Sequence, residues 1–183
     1  GIGRGAERCG GRGTAVEACN LGRRLWIERV LHEPVVDHHG EEVPHSPRQV
    51  LKKQVTRAKK LGFDVMMAAE LELFVFDESY ESARAKDYKN LKHAGWYIED
   101  YVILQTTKEE PLIRAIRNSM DAAGVPVECS KGEWGPGQEE INLKYAEAVE
   151  MADRIAIYKN GAKEIAHLQG KACLLYTSDA ADD

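Results

Sequence analysis

Glu133-Trp-Gly-Pro-Gly-Gln-Glu-Glu140 sets carboxylates at either end of a turn built from Gly135, Pro136 and Gly137. Glycine reaches backbone angles closed to other residues and proline fixes one, so such a run reverses the chain. The flanks Val125-Pro-Val-Glu-Cys129 and Glu140-Ile-Asn-Leu-Lys-Tyr145 read as strands. The stretch is therefore a hairpin with Glu133 and Glu140 at its mouth. A hard cation takes several oxygen ligands, and this arrangement offers them.

A second carboxylate pair lies upstream. Asp64-Val-Met-Met-Ala-Ala-Glu-Leu-Glu-Leu-Phe-Val-Phe-Asp77 reads as one strand. A period of two puts Glu70, Glu72, Phe74 and Phe76 on one face and Leu71, Leu73 and Val75 on the other. Two glutamates at such spacing ordinarily mark the wet face of a sheet. Here both faces carry large apolar residues, so the carboxylates border a cavity or core and need cations. Together with Glu133 and Glu140 they make four oxygen donors without histidine or cysteine. That set points to Mg2+ or Mn2+, and to more than one ion. The ions would offset the mutual repulsion of the cluster.

The surrounding elements follow from caps and periodicity. Ser46-Pro47 opens a helix whose apolar face is Val50, Leu51, Val55, Ala58 and Leu61, and Gly62 ends it. Thr107-Lys-Glu-Glu110 reads as a capping box with Pro111 just inside the next helix. Leu112, Ile113, Ile116 and Met120 form its apolar face, and Gly124 stops it. A long helix over about 146–169 packs along Ala148, Met151, Ile155, Tyr158, Ala162 and Ile165. Gly161 inside it costs about 1 kcal/mol against alanine, which close packing would explain. The order helix, strand, helix, hairpin, helix gives an α+β domain with helices backing a mainly antiparallel sheet. No internal repeat is present.

Other residues make weaker candidates. His38, His39 and His45 are possible metal ligands, but Asp37-His-His-Gly40 reads as a turn between strands. Lys159 and Lys163 read as solvated cations on the long helix. Trp96 and Tyr97 read as loop cover. Tyr101 opens an apolar run and is ambiguous.

The 183 residues suffice for one domain with a sizeable core, and 43 % hydrophobic with 30 % charged residues is ordinary for a globular protein. A net charge of -5 argues against a nucleic-acid partner. No apolar run approaches the roughly 20 residues that span a bilayer. Four cysteines without a CxxC pair fit a reducing cytoplasm.

The two ends differ in texture from the middle. Residues 1–34 form an atypical Gly/Arg-rich leader, expected to be out-of-frame translation or disordered. A P-loop is excluded there because its lysine is missing. Residues 173–183, Cys-Leu-Leu-Tyr-Thr-Ser-Asp-Ala-Ala-Asp-Asp, resemble the translation of a transposase-derived sequencing adapter. They are expected to be a foreign tail. The native part is then about 35–172.

Four pieces of that native part carry a family resemblance. They are Val43-Pro-His-Ser-Pro-Arg48, Ala69-Glu-Leu-Glu-Leu-Phe74, Lys131-Gly-Glu-Trp-Gly-Pro-Gly-Gln-Glu-Glu140 and Tyr158-Lys-Asn-Gly-Ala-Lys-Glu-Ile-Ala166. In order and spacing, residues 36–172 resemble part of the catalytic domain of the glutamine synthetase superfamily. The resemblance implies a curved, mainly antiparallel sheet with helices packed on its outer face. Its strands line a funnel that holds Mg2+ or Mn2+ ions between ATP and glutamate. By motif position, Glu70 would bind the metal nearer the nucleotide. Glu72, Glu133 and Glu140 would hold the metal nearer glutamate, and Tyr101 would fall near the amine pocket.

The implied reaction is ATP-dependent ligation of ammonia to the γ-carboxylate of glutamate through γ-glutamyl phosphate. A γ-glutamylamine ligase using a polyamine or other primary amine is the alternative, as is a non-catalytic scaffold. The family assembles as homo-oligomeric rings. Its N-terminal β-grasp domain is not resembled by residues 1–34. Its histidine strand and phosphate-binding arginines would lie after Ala172. This polypeptide alone is therefore expected to show no synthetase activity and little nucleotide binding.

Overall fold

The computed structural model describes residues 35–176. The Gly/Arg-rich opening and residues 177–183 of the expected tail lie outside them. The described elements, in chain order, are α1 (Pro47–Lys60), β1 (Met66–Met67), β2 (Glu72–Phe76), α2 (Tyr80–Ala85) and α3 (Ile103–Ala122). They continue with β3 (Val127–Gly132), β4 (Gln138–Leu143), β5 (Ala146–Glu147), α4 (Ala148–Leu168) and β6 (Ala172–Tyr176). The class is α+β, as the order of sequence signals implies.

A four-stranded antiparallel sheet runs β3-β4-β2-β6, and β1 pairs with β5 in a separate two-stranded ribbon. The expected strand over 64–77 is thus two strands. Its first part leaves for β5, and its second part enters the main sheet. Residues 173–176, expected in the tail, form most of β6. Val75 pairs with Cys173 and Leu73 with Leu175. The Tyr80 hydroxyl fastens that strand by accepting from Cys173 N and donating to Cys173 O, both at 3.2 Å.

One face of the sheet is the core face. Leu71, Leu73 and Val75 of the β2 segment join Ile141 and Leu143 of β4 against Leu112, Ile113, Ile116 and Met120 of α3 and Met151, Tyr158 and Ala162 of α4. Period two in the strands and steps of three and four in the helices make these stripes meet. Gly161 of α4 lets α3 approach: a Cβ there would lie 2.5 Å from Met120 Cε. Helix α1 docks on α4 through a bidentate pair, with Arg48 Nε 2.9 Å from Asp153 Oδ1 and Nη2 2.8 Å from Oδ2.

Two helix readings need correction. Helix α3 begins at Ile103 with Val102 as its N-cap, so Pro111 lies well inside it. Thr107 does not cap. Its hydroxyl donates back to Ile103 O at 2.7 Å, a bond within the turn that competes with capping. In α1, Ser46 is the N-cap residue and Pro47 opens the helix, but the serine hydroxyl makes no capping bond. Val50 and Leu61 of its expected apolar face are exposed. The terminators behave as read: Gly62 and Gly124 have φ of +88° and +78°, where only glycine is at ease.

Candidate metal centre

The hairpin geometry comes first. Glu133 N donates to Gln138 O at 2.8 Å, and Gln138 N donates to Gly135 O at 3.0 Å, closing the turn. Gly137 takes φ +72°, and its carbonyl accepts from Val75 N at 2.8 Å, which stitches the turn onto β2. The strands then fall into register, with Lys131 opposite Glu140 and Glu140 opposite Glu72. These three side chains form one row across the sheet, on the face away from the core.

Oxygens of Glu70, Glu72, Glu133 and Glu140 lie within 4.8 Å of one another. The structure therefore brings together all four carboxylates singled out in the sequence. Glu70 is exposed, Glu72 and Glu133 are half-buried, and Glu140 is only 2 % exposed. The Glu70 carboxyl is raised above its ordinary pKa. Side-chain hydrogen bonding with Glu140 is the largest cause, followed by the charge of Glu140, burial and the charge of Glu72. Lys131 opposes that rise.

Three residues not singled out in the sequence hold the cluster. The Lys131 ammonium bonds Glu133 and lies 3.1 Å from Glu140 Oε2. Gln138 Nε2 donates to Glu72 Oε2 at 2.9 Å, while its Oε1 accepts from Gly135 N at 2.8 Å. Asn142 Nδ2 donates to Glu140 Oε1. The signal for Asn142 was present: it lies two residues after Glu140 on one strand, so the two share a face.

The opposite face of β4 carries a different carboxyl. Glu139 pairs with Leu73 and Gly132 and points with Ile141 and Leu143 toward the core, 1 % exposed. Burial, then the neighbouring Glu99, push its pKa up to about 9. Glu99 and Glu109, also buried, complete this inner group.

Tyr101 is 75 % exposed, and its ring lies 5.5 Å from Nζ of Lys131, the cation that bonds the cluster. A cavity of about 440 Å3 adjoins it, lined by Ile103, Thr106, Lys131, Gly132 and Glu139 among others. Among the described residues, His38, His39 and His45 join no such group. His38 and His39 sit in the expected turn, where Asp37 Oδ1 accepts from His39 N and Glu41 N. Lys159 and Lys163 lie on α4. No described helix is long and apolar enough to cross a membrane.

The donor set fits a hard divalent cation. All four groups are carboxylates, they come from two separate chain segments, and a cationic side chain already sits among them.

Known proteins share this arrangement of elements. The chain is 45 % identical over 131 residues to the γ-glutamylethanolamide synthetase of Streptomyces coelicolor, covering 72 % of this chain and 28 % of that one. It is 31 % identical over 144 residues to a glutamate–isopropylamine ligase of a Pseudomonas species, covering 79 % and 31 %. The chain thus spans under a third of the length of these curated relatives. A solved GmaS–ADP complex matches with a TM-score of 0.63 and 24 % identity, over 74 % of this chain and 30 % of that one. The model of the glutamine synthetase catalytic domain matches residues 44–178. The chain belongs to the glutamine synthetase family, as part of its catalytic domain.

Proposed function

We propose that this chain is part of an ATP-dependent ligase that joins an amine nitrogen to the γ-carboxylate of glutamate through γ-glutamyl phosphate. The convergence of Glu70, Glu72, Glu133 and Glu140 carries the reading. These residues would hold Mg2+ or Mn2+. A bound divalent cation supplies neutralisation of phosphate and carboxylate oxygens as charge develops on them.

The chain's own part is positioning. The hairpin fixes Glu133 and Glu140 relative to Glu72, and Gln138 and Asn142 hold two of the carboxylates by hydrogen bonds. The core-facing stripes of β2 and β4 keep those strands in register, so the ligands need not order themselves on binding. Lys131 offsets the negative charge of Glu133 and Glu140. The four intact carboxylates count against a non-catalytic scaffold.

Ammonia and a primary amine are the two acceptors to weigh. The 45 % identical relative is named for an ethanolamide product, and another relative is named for isopropylamine. Both favour a primary amine. A homo-oligomeric ring in the cytoplasm is the setting proposed for the whole protein.

Electron paramagnetic resonance of free Mn2+ tests the site in the 183-residue chain. The unaltered chain should bind Mn2+, and Glu133→Gln should weaken binding at least about tenfold without changing circular dichroism. Equal binding by the two would remove Glu133 from the site. In the whole protein, phosphate release with glutamate and ATP should run faster with ethanolamine than with ammonium. The reverse order would restore ammonia as the acceptor.

A further inference from the structure

Glu99 is buried completely, and its Oε2 has no hydrogen-bond partner among the described residues. Burying a carboxyl is expensive, so its position needs a reason. That reason lies in the hairpin. Gly137 is buried, so its N–H requires an acceptor just as its carbonyl requires the donor it finds in Val75 N. Glu99 Oε1 is that acceptor, at 2.9 Å. At the other end of the turn, Glu99 N donates to Glu133 O at 3.1 Å. One residue therefore holds both ends of the turn that carries Glu133.

Glycines make room for this grip. A Cβ on Gly95 would lie 1.6 Å from Glu99 Oε1 and 2.5 Å from Gly137 N. A Cβ on Gly132 would lie 2.5 Å from Glu99 O. Any side chain at either position would push the carboxyl off the turn. The loop before α3 is thus built around one contact with the hairpin, 38 residues away in sequence.

We propose that Glu99 is a positioning residue for the carboxylate cluster: by bonding Gly137 N and Glu133 O it fixes the turn that sets Glu133 and Glu140 against Glu72. It touches neither metal nor substrate. The inference rests on the metal reading of the four carboxylates.

Three variants of the 183-residue chain test it, each measured by Mn2+ resonance with circular dichroism as the check on folding. Glu99→Gln keeps an oxygen acceptor at the same reach, and its amide can donate to Glu139. It should bind Mn2+ within about twofold of the unaltered chain. Glu99→Asp keeps the charge but is one methylene too short for Gly137 N. It should bind about tenfold more weakly while remaining folded, in line with the usual effect of losing an outer-shell partner. Glu99→Ala should bind as weakly as Glu99→Asp. Should Glu99→Ala fail to fold, the Gln and Asp pair decides.

Tight binding by Glu99→Asp, or weak binding by Glu99→Gln, overturns the inference, because either shows that reach to Gly137 is not what matters. A purely structural role would lower stability and leave Mn2+ affinity of the folded protein unchanged, which also overturns it. Failure of the metal reading looks different: the unaltered chain binds no Mn2+, or Glu133→Gln binds as well as it does, and the inference falls with that reading.

Discussion

Lys131 is the cation of the carboxylate cluster in the folded chain. Burial disfavours its charge, yet hydrogen bonding to Glu140 and the charges of Glu140 and Glu70 raise its pKa. Its ammonium lies where a divalent ion would interact with Glu133 and Glu140, so binding must displace or tolerate it. Lys131→Met should therefore act in opposite directions on two readouts. Mn2+ affinity should rise by about tenfold, since removing one unit of like charge nearby is worth roughly 1.4 kcal/mol or more. Melting temperature in metal-free buffer should fall, because Glu133 and Glu140 lose their counter-ion. Calorimetric titration with Mn2+ and a thermal melt check both. The four candidate ligands were legible in the sequence because carboxylates on apolar strands demand a cation. Lys131 was not, since its role depends on the register that places it opposite Glu140. Glu99 left no local signal at all: its partner is a backbone amide across the fold.

At the scale of elements, the readings that held rest on physics confined to a few residues. Gly135-Pro-Gly137 reverses the chain, Gly62 and Gly124 stop helices at positive φ, and the stripe from Ala148 to Ile165 meets the core. The failures came where tertiary contacts chose between local options. Asp64–Asp77 has a continuous apolar pattern, yet β5 draws Met66 and Met67 out of the main sheet. Thr107-Lys-Glu-Glu110-Pro has the composition of a helix start, but buried Gln105 and Glu109 place that stretch within α3. The cost of the mismatch is measurable. A proline inside a helix costs about 3 kcal/mol through the missing N–H and the clash with the preceding turn. Replacing it gives the unfolded chain back up to about 1 kcal/mol of entropy. Pro111 is exposed, so Pro111→Ala opens no cavity. It should stabilise the chain by about 2 kcal/mol, read as a higher urea midpoint at unchanged slope. A lower midpoint would show that α3 needs the proline for its packing.

At the scale of the whole molecule, the four-stranded sheet has two electrostatic faces, and the response to pH follows from both and from the loop at the end of β2. On the core side, burial raises Glu109, with Lys171 opposing and Glu99 adding to the rise, and it carries Glu139 to about 9. A carboxyl raised in the folded state binds its proton more tightly there than in the unfolded chain. Its protonated form stabilises the fold below the ordinary value of 4.5, and that advantage is lost as pH climbs toward the folded value. In the loop after β2, Glu78 accepts from the Lys86 ammonium first, then from Lys92 N and the Ser82 hydroxyl, and these bonds lower it to about 2. Its contribution is present above 4.5 and is lost as pH falls toward 2. The two windows do not overlap, so in metal-free buffer the melting temperature should peak near pH 5 and fall on either side. Glu109→Gln removes one of the core carboxyls and should flatten part of the alkaline limb while leaving the acid limb unchanged. Glu78→Gln should do the reverse, shrinking the acid limb alone. Melts of the three proteins between pH 3 and 9 distinguish these outcomes. An alkaline limb unaltered in Glu109→Gln would mean that Lys171, 3.6 Å from that carboxyl, already holds it ionised in the fold.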